Sequence, residues 1–258
     1  MLKLAPLDPV DTPPGARDRG NLIHDAIGDF SKMHPELLPP DAAGLLIALG
    51  RIRFEPLADY PEARAFWWPR FLRIARWFAL WDAERRAALT RTDAEIGGAI
   101  DIPLGAGSFR LFGRADRIER RSDGRYAIVD YKTGQARTEK QVRTGLAPQL
   151  TLEAAILRRG GFKDVPAGAS VGEILYVTLK GGEPAGEPHP IEFEEGTPDG
   201  QADRALARFT GLVTRFADER EPFRSLVHPM WRARYGDYDH LARVKEWRAA
   251  DEADGDAA

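Results

Sequence analysis

The feature that most constrains the fold of this chain is a pair of strand-like segments joined by a short charged turn. The first segment ends in RIERR, the turn reads SDG, and the second segment is RYAIVDYKT. Asp-Gly between two such segments is typical of a β-hairpin. In the second segment Asp130 and Lys132 lie two residues apart, so they share one strand face with the apolar Ile128. Opposite charges at the end of a packed face indicate a role beyond packing.

The length of the turn decides which side chains face each other, and the sequence allows two registers. A three-residue loop at 122–124 puts Asp116 opposite Asp130. Two like charges in that position are destabilising unless a cation lies between them, and Mg²⁺ uses one or two such carboxylates. A two-residue turn at 123–124 instead puts Arg117 opposite Asp130, which is an ordinary cross-strand ion pair. Both registers stay open on the sequence alone.

Helical and strand-like patterns divide the chain into three parts. Helical periodicity dominates before residue 91, three strand-like segments follow up to residue 133, and helix, strand and helix patterns come after them. This order predicts a mixed α/β core with a helical layer added at its front. The predicted parts are an N-terminal arm and helical layer at 1–90, the core with C-terminal helices at 91–248, and an acidic disordered tail at 249–258.

Composition excludes several kinds of site. The 258 residues include no cysteine, which rules out thiolate zinc sites, cysteine nucleophiles and cysteine-ligated iron–sulfur clusters. The net charge of −3 neither demands nor forbids a polyanionic partner, since local patches matter more than the sum. No stretch approaches the ~20 apolar residues of a membrane span, so we expect no membrane partner and a cytoplasmic location.

Several sequence blocks carry a resemblance to a known family. GRADRIE, AIVDYKTG and PQLTLEAAIL resemble, in order and spacing, the RecB-like branch of the PD-(D/E)xK nucleases, and RGNLIHDAI resembles its upstream histidine block. KLAPLDPVD and RYGDYDHLARVKEW resemble the C-terminal nuclease region of the AddB subunit of bacterial helicase–nucleases. The resemblance implies a restriction-endonuclease-like fold, with a mixed β-sheet flanked by helices. It also implies a metal-dependent, exonucleolytic DNase of double-strand break repair that acts with an AddA-like partner subunit.

The resemblance assigns roles to individual residues. It implies that His24, Asp116 and Asp130 bind Mg²⁺ or Mn²⁺. Lys132 would be the catalytic base or would position the nucleophile. Gln149 would contact the substrate or Lys132 from the edge of a helix.

Two acids and a set of basic residues complete these expectations. Glu95 stands where some members of the family have an additional acid. Glu153 stands where many members have tyrosine, so the site would use Tyr131 or no phenol at all. DNA contacts are expected from residues that flank the site in sequence, with ordinary solvated surface positions as the alternative: Tyr131, Arg114, Arg117, Arg137, Lys140 and Arg143.

A competing interpretation comes from a different functional class. A nuclease fold can serve as a non-catalytic DNA-binding or scaffold subunit. The complete set of Asp116, Asp130 and Lys132 argues against that interpretation, because loss of one of them would be the expected mark of decay. The sequence leaves open whether the chain is part of a longer subunit or a standalone nuclease.

Overall fold

A computed structural model describes residues 13–105, 107–193 and 196–222. Within these ranges the helices are α1 (Ala16–Met33), α2 (Ala42–Arg53), α3 (Pro61–Arg86), α4 (Glu139–Arg143), α5 (Gln149–Arg158) and α6 (Pro198–Phe216). The strands are β1 (Leu89–Leu104), β2 (Gly107–Arg121), β3 (Tyr126–Lys132), β4 (Val171–Leu179) and β5 (Gly186–Pro190). A short 3₁₀ helix covers Glu55–Asp59. Every helix in the described residues is too short or too polar to traverse a bilayer.

The described strands form one mixed sheet in the order β1-β2-β3-β4-β5. Only β3 and β4 run parallel, and the remaining neighbours are antiparallel. A parallel pair needs a long crossover, which here contains α4 and α5. The predicted α/β class, with a mixed sheet flanked by helices, is therefore confirmed.

Each face of the sheet has its own apolar core. Helices α1, α2 and α3 pack against one face around Phe30, Phe71 and Phe78, together with Val129 of β3. Helices α5 and α6 contribute to the core on the other face, around Ile128. Residues 126–131 of β3 are all buried, as is expected of a strand covered on both sides.

The helical pattern over 137–159 corresponds to two helices, α4 and α5, because Gly145, with φ of +80°, and Pro148 lie between them. Strand β5 contains Pro188 and Pro190, which a central strand would not tolerate. It lies at the sheet edge, where proline is tolerated.

Residues Pro13–Thr214 form one compact unit. The division predicted after residue 90 falls within this unit, inside strand β1. The second unit comprises residues 1–12 and 215–258, of which the structure describes 215–222. The predicted acidic tail and both AddB-like terminal blocks lie outside the described residues.

Candidate active site

The hairpin between β2 and β3 adopts the three-residue register. Ile118 pairs with Ile128, and the N–H of Arg121 donates to the carbonyl of Arg125 at 2.8 Å across the turn. Gly124 closes the turn with a φ of +83°, a conformation that favours glycine. The two-residue register is therefore excluded. Arg117 pairs with Val129, so the same register continued by one residue brings two acids opposite each other.

Those acids are Asp116 and Asp130, at the point where β2 separates from β3. The Oδ2 atom of Asp116 accepts a hydrogen bond from the backbone N–H of Tyr131 at 2.9 Å. Beyond this point β2 pairs only with β1, out to Leu104 and Gly107. Asp116 therefore lies at a fork in the sheet, which is the point where β2 and β3 diverge. There its carboxylate accepts the backbone hydrogen bond that a carbonyl of β2 would otherwise accept.

His24, Glu95 and Asp116 converge at this fork. One ligand atom from each lies within 4.8 Å of the others. The Nδ1 atom of His24 is 3.4 Å from Oδ2 of Asp116. Glu95 has a left-handed backbone, with φ of +51°, which is uncommon outside glycine. Gly28 of α1 leaves room for it, since a Cβ there would lie 2.8 Å from Cγ of Glu95.

Asp130 is held by two other predicted site residues. It is 1% exposed, and its Oδ1 accepts from Nζ of Lys132 and from Nε2 of Gln149, both at 2.8 Å. Lys132 Nζ also lies 2.6 Å from Oδ2 as an ion pair, but no hydrogen bond of good geometry reaches that atom from the described residues. Asp130 is not part of the compact group formed by His24, Glu95 and Asp116.

The acids of the site have raised pKa values. Burial, followed by repulsion from Asp116, raises the pKa of Asp130 to about 6. Burial is also the main cause that raises the pKa of Asp116 and of Glu95. Burial lowers the pKa of His24, which favours the neutral imidazole that can bind a metal. The three acids of the site are thus buried in surroundings that disfavour their charged forms.

Glu153 is a buried neighbour of the predicted site. It is 5% exposed, and its Oε1 accepts from Nε2 of Gln149 at 3.2 Å, so the Gln149 amide bridges Glu153 and Asp130. Burial raises the pKa of Glu153 to about 8. The acid that replaces the family's tyrosine therefore contacts the Gln149 amide directly.

Two of the residues predicted to contact DNA are buried in the structure. Arg117 is fully buried, with Nη2 2.6 Å from Asp82 of α3 and Nε 2.8 Å from Glu119. Tyr131 is 3% exposed, and its hydroxyl lies 3.5 Å from Nη1 of Arg117. Neither side chain is exposed at the surface of the described residues, where a nucleic acid would lie. The alternation of Arg117 and Glu119 along β2 was the available signal for a structural ion pair.

The other predicted DNA contacts lie at or near the surface. The side chain of Arg114 is 70% exposed, and its Nε lies 2.9 Å from Oε2 of Glu95. Arg137 and Lys140 are exposed, and Arg143 is half-buried. Arg137 and Arg143 line pockets other than the one that contains His24. Only Arg114 is therefore placed beside the acids.

Sequence reasoning missed three residues around the same pocket. Arg17 and Asn21 of α1, with Thr133 after β3, line it together with His24. Arg17 and Asn21 precede His24 by seven and three residues, which places them along the same side of a helix. That spacing within the histidine block was the signal that could have found them.

The donor set fits a divalent metal ion. His24, Glu95 and Asp116 supply one imidazole nitrogen and two carboxylates within a single group. Carboxylate oxygens suit Mg²⁺, and imidazole together with carboxylate also suits Mn²⁺. The buried Oδ2 of Asp130 adds a further acceptor without a directed hydrogen bond. The structure thus brings His24 and Asp116 of the predicted ligand set together with Glu95, and metal binding by these residues and by Asp130 stays a prediction.

Comparisons with known proteins place the chain in a family. Residues 2–235 match the model of the PD-(D/E)XK nuclease superfamily. An uncharacterized protein of Rickettsia bellii (strain RML369-C) is 26% identical over 253 residues, which cover 93% of this chain and 29% of that protein. An uncharacterized protein of Rickettsia typhi is 30% identical over 168 residues, covering 63% of this chain and 19% of that protein. The chain thus spans less than a third of the length of these relatives.

A solved structure gives a weaker likeness. The crystal structure of SSO0001 matches with a TM-score of 0.35 and 12% identity, over 85% of this chain and 83% of that one. The family match is the finding that decides the assignment, because it extends across all the elements that build the site. The chain belongs to the PD-(D/E)XK nuclease superfamily.

Proposed function

We propose that this protein is a metal-dependent deoxyribonuclease that hydrolyses phosphodiester bonds of DNA with Mg²⁺ or Mn²⁺. The observation that supports this most is the convergence of His24, Glu95 and Asp116 within 4.8 Å, next to the Asp130–Lys132 ion pair. Membership in a nuclease superfamily agrees with that chemistry.

The residues of the site divide the work of hydrolysis. His24, Glu95 and Asp116 would hold the ion, with Asp130 next to them. A bound divalent ion would supply Lewis-acid charge that neutralises the scissile phosphate and makes a water more acidic. Lys132, fixed by Asp130 at 2.8 Å, would orient the attacking water through Nζ. Gln149 holds the same carboxylate from α5 with Nε2.

The biological setting is a further part of the proposal. The AddB-like blocks of the sequence favour an exonuclease that acts in double-strand break repair and recombination, in the cytoplasm, within a helicase–nuclease with an AddA-like partner. The greater length of the Rickettsia relatives is compatible with a nuclease part of a larger polypeptide. A comparison of linear with covalently closed circular DNA would test the end requirement, because an exonuclease degrades only the linear form.

The test of the reaction is the Asp130→Asn variant, assayed for degradation of linear DNA in Mg²⁺. We expect a loss of at least about 1,000-fold in kcat, since both Lys132 and the metal side of the site lose a charged partner. Asp123→Asn is the matched control, because Asp123 is an exposed acid in the turn of the same hairpin. It should cleave at the wild-type rate, and circular dichroism should show both variants folded.

The same experiment separates the enzyme from a scaffold. Digestion by Asp130→Asn at the wild-type rate would refute the proposed site. A wild-type protein that binds DNA but leaves it intact with Mg²⁺ and with Mn²⁺ would favour the non-catalytic alternative.

A further inference from the structure

The candidate site opens into a pocket of about 300 Å³ whose lining is only partly acidic. His24, Glu95 and Asp116 form one part of this lining. Arg17 and Arg114 bring two cations to the same pocket from α1 and β2. The side chain of Arg114 is 70% exposed despite its ion pair with Glu95, so its outer face remains accessible. The pocket therefore combines candidate metal ligands with two groups that can bind phosphate.

An aromatic side chain continues this line along β2. Arg114 and Phe112 precede Asp116 by two and four residues, so all three share a strand face. At about 3.4 Å per residue they lie about 7 Å and about 14 Å from Asp116 along the strand. Phe112 is 75% exposed, although it is a large apolar side chain. The order outward from the acids is thus cation, then aromatic ring.

The neighbouring strand leaves this face open. Arg114 is paired with Gly97, and Phe112 is paired with Ala99. A Cβ added to Gly97 would meet nothing within 4 Å. Small residues opposite an exposed ring and an exposed guanidinium leave space for a ligand to lie along the strand.

We propose that Arg17, Arg114 and Phe112 form a track that binds a single strand of DNA and leads it into the site. The two arginines contact backbone phosphates, and Phe112 stacks on an unpaired base. Grooves that combine cations with exposed aromatic rings are how proteins bind single-stranded nucleic acid without sequence preference. The inference rests on the proposed nuclease function and adds its substrate form, because a base stacked within a duplex has no free face for Phe112.

Binding of a short fluorescein-labelled oligothymidylate in EDTA, followed by anisotropy, tests the track without cleavage. We expect Phe112→Ala to raise Kd about tenfold, as for the loss of one base–aromatic stack. Phe66→Ala is the matched control, since Phe66 is 70% exposed but lies on α3. Arg17→Ala should reduce the slope of log K against log salt by about 0.7, the value for one phosphate on a single strand. Arg76→Ala, an exposed arginine of α3, should leave that slope unchanged.

An abasic position moved along the oligonucleotide distinguishes stacking from an indirect effect. At one position the wild type should lose about as much affinity as Phe112→Ala loses with the intact strand, and Phe112→Ala should lose nothing more there. If Phe112→Ala binds and cleaves single-stranded DNA as the wild type does, the track is wrong and the nuclease function stands. If the wild type neither binds DNA in EDTA nor cleaves it with Mg²⁺, both proposals fail together.

Discussion

Tyr131 contacts two charged clusters, which differ in how completely their buried acids are paired with cations. The backbone N–H of Tyr131 donates to Asp116 of the candidate site at 2.9 Å. Its hydroxyl lies 3.5 Å from Arg117 in a second cluster, where Arg117 lies between Asp82 and Glu119. One residue of β3 therefore contacts both the acids of the candidate site and an arginine that is paired with two buried acids.

The balance of charge distinguishes the clusters. In the arginine cluster each acid has more than one guanidinium partner: Asp82 also pairs with Arg86, and Glu119 also pairs with Arg85. Burial would lower the pKa of Arg117, but Tyr131 and the two acids raise it, so its charge is secured. A neutralised cluster needs no ligand, and it acts as a structural joint between α3 and β2.

In the candidate site the acids are less completely paired. Glu95 pairs with Arg114 and Asp130 pairs with Lys132, but the ion pair that Asp116 makes among the described residues is with His24, and burial is the largest cause of the raised pKa of each of the three acids. A divalent cation stabilises such a site, because it lowers the free-energy cost of keeping the buried acids ionised. Buried acids therefore indicate a functional site where their pKa values are raised by burial, and a structural contact where arginines of neighbouring elements pair with them.

The largest expected effect that tests this contrast is on stability. Arg117→Leu leaves Asp82 and Glu119 buried without their shared partner, and we expect a loss of about 3–5 kcal/mol in the free energy of unfolding. Urea denaturation followed by circular dichroism measures it. Arg114→Leu, at an exposed position three residues earlier, should change the free energy by less than about 0.5 kcal/mol. Equal stability of the two variants would contradict the structural role of the arginine cluster.

The arginine cluster also shows what the sequence could not provide. The hairpin was predictable from its turn residues, but the register that brings Asp116 level with Asp130 was one of two that the sequence allows. The sequence predicts Arg117 as a DNA contact because it flanks the site, whereas its partner Asp82 is 35 residues away, on α3. A local pattern does not reveal a counter-charge supplied by a distant helix.

The metal group was only partly predictable for a related reason. His24 and Asp116 were expected from the sequence blocks of the family. Their proximity to Glu95 depends on a left-handed backbone at Glu95 and on the space above Gly28, neither of which a sequence pattern encodes. The role of Glu153 likewise depends on which way the Gln149 amide points.

The next largest effect is the pH dependence caused by Glu153. Its pKa is raised to about 8, so in the folded protein it stays protonated while the unfolded chain ionises. Its contribution to stability is fully present below about pH 4.5 and is lost as pH rises toward 8. Glu153→Gln removes that loss, and in EDTA we expect it to gain about 4 kcal/mol over the wild type at pH 8 relative to pH 4.5.

Thermal melts at several pH values measure this difference. Glu139→Gln, an exposed acid on α4, is the control and should follow the wild type at every pH. A constant offset between Glu153→Gln and the wild type would show that the buried acid ionises normally.

Metal binding to the candidate site is expected to raise the free energy of unfolding by a comparable amount. Mg²⁺ at about 100 times its Kd should stabilise the folded protein by about 2.7 kcal/mol, which raises Tm by several degrees. In Asp116→Asn the gain should largely disappear, because the variant loses one carboxylate of the metal group. A Tm that rises equally in both proteins would place the ion elsewhere.

The smallest effect concerns the residue that joins the clusters. Tyr131→Phe keeps the backbone N–H that binds Asp116 and removes only the hydroxyl near Arg117. We expect a loss of about 1 kcal/mol in stability, typical of one hydrogen bond, with no change in Kd for DNA. The measurement pairs urea denaturation with oligonucleotide anisotropy on the same samples. Weaker DNA binding at unchanged stability would restore Tyr131 as a DNA contact, and it would show that the two clusters are less separate than their charges indicate.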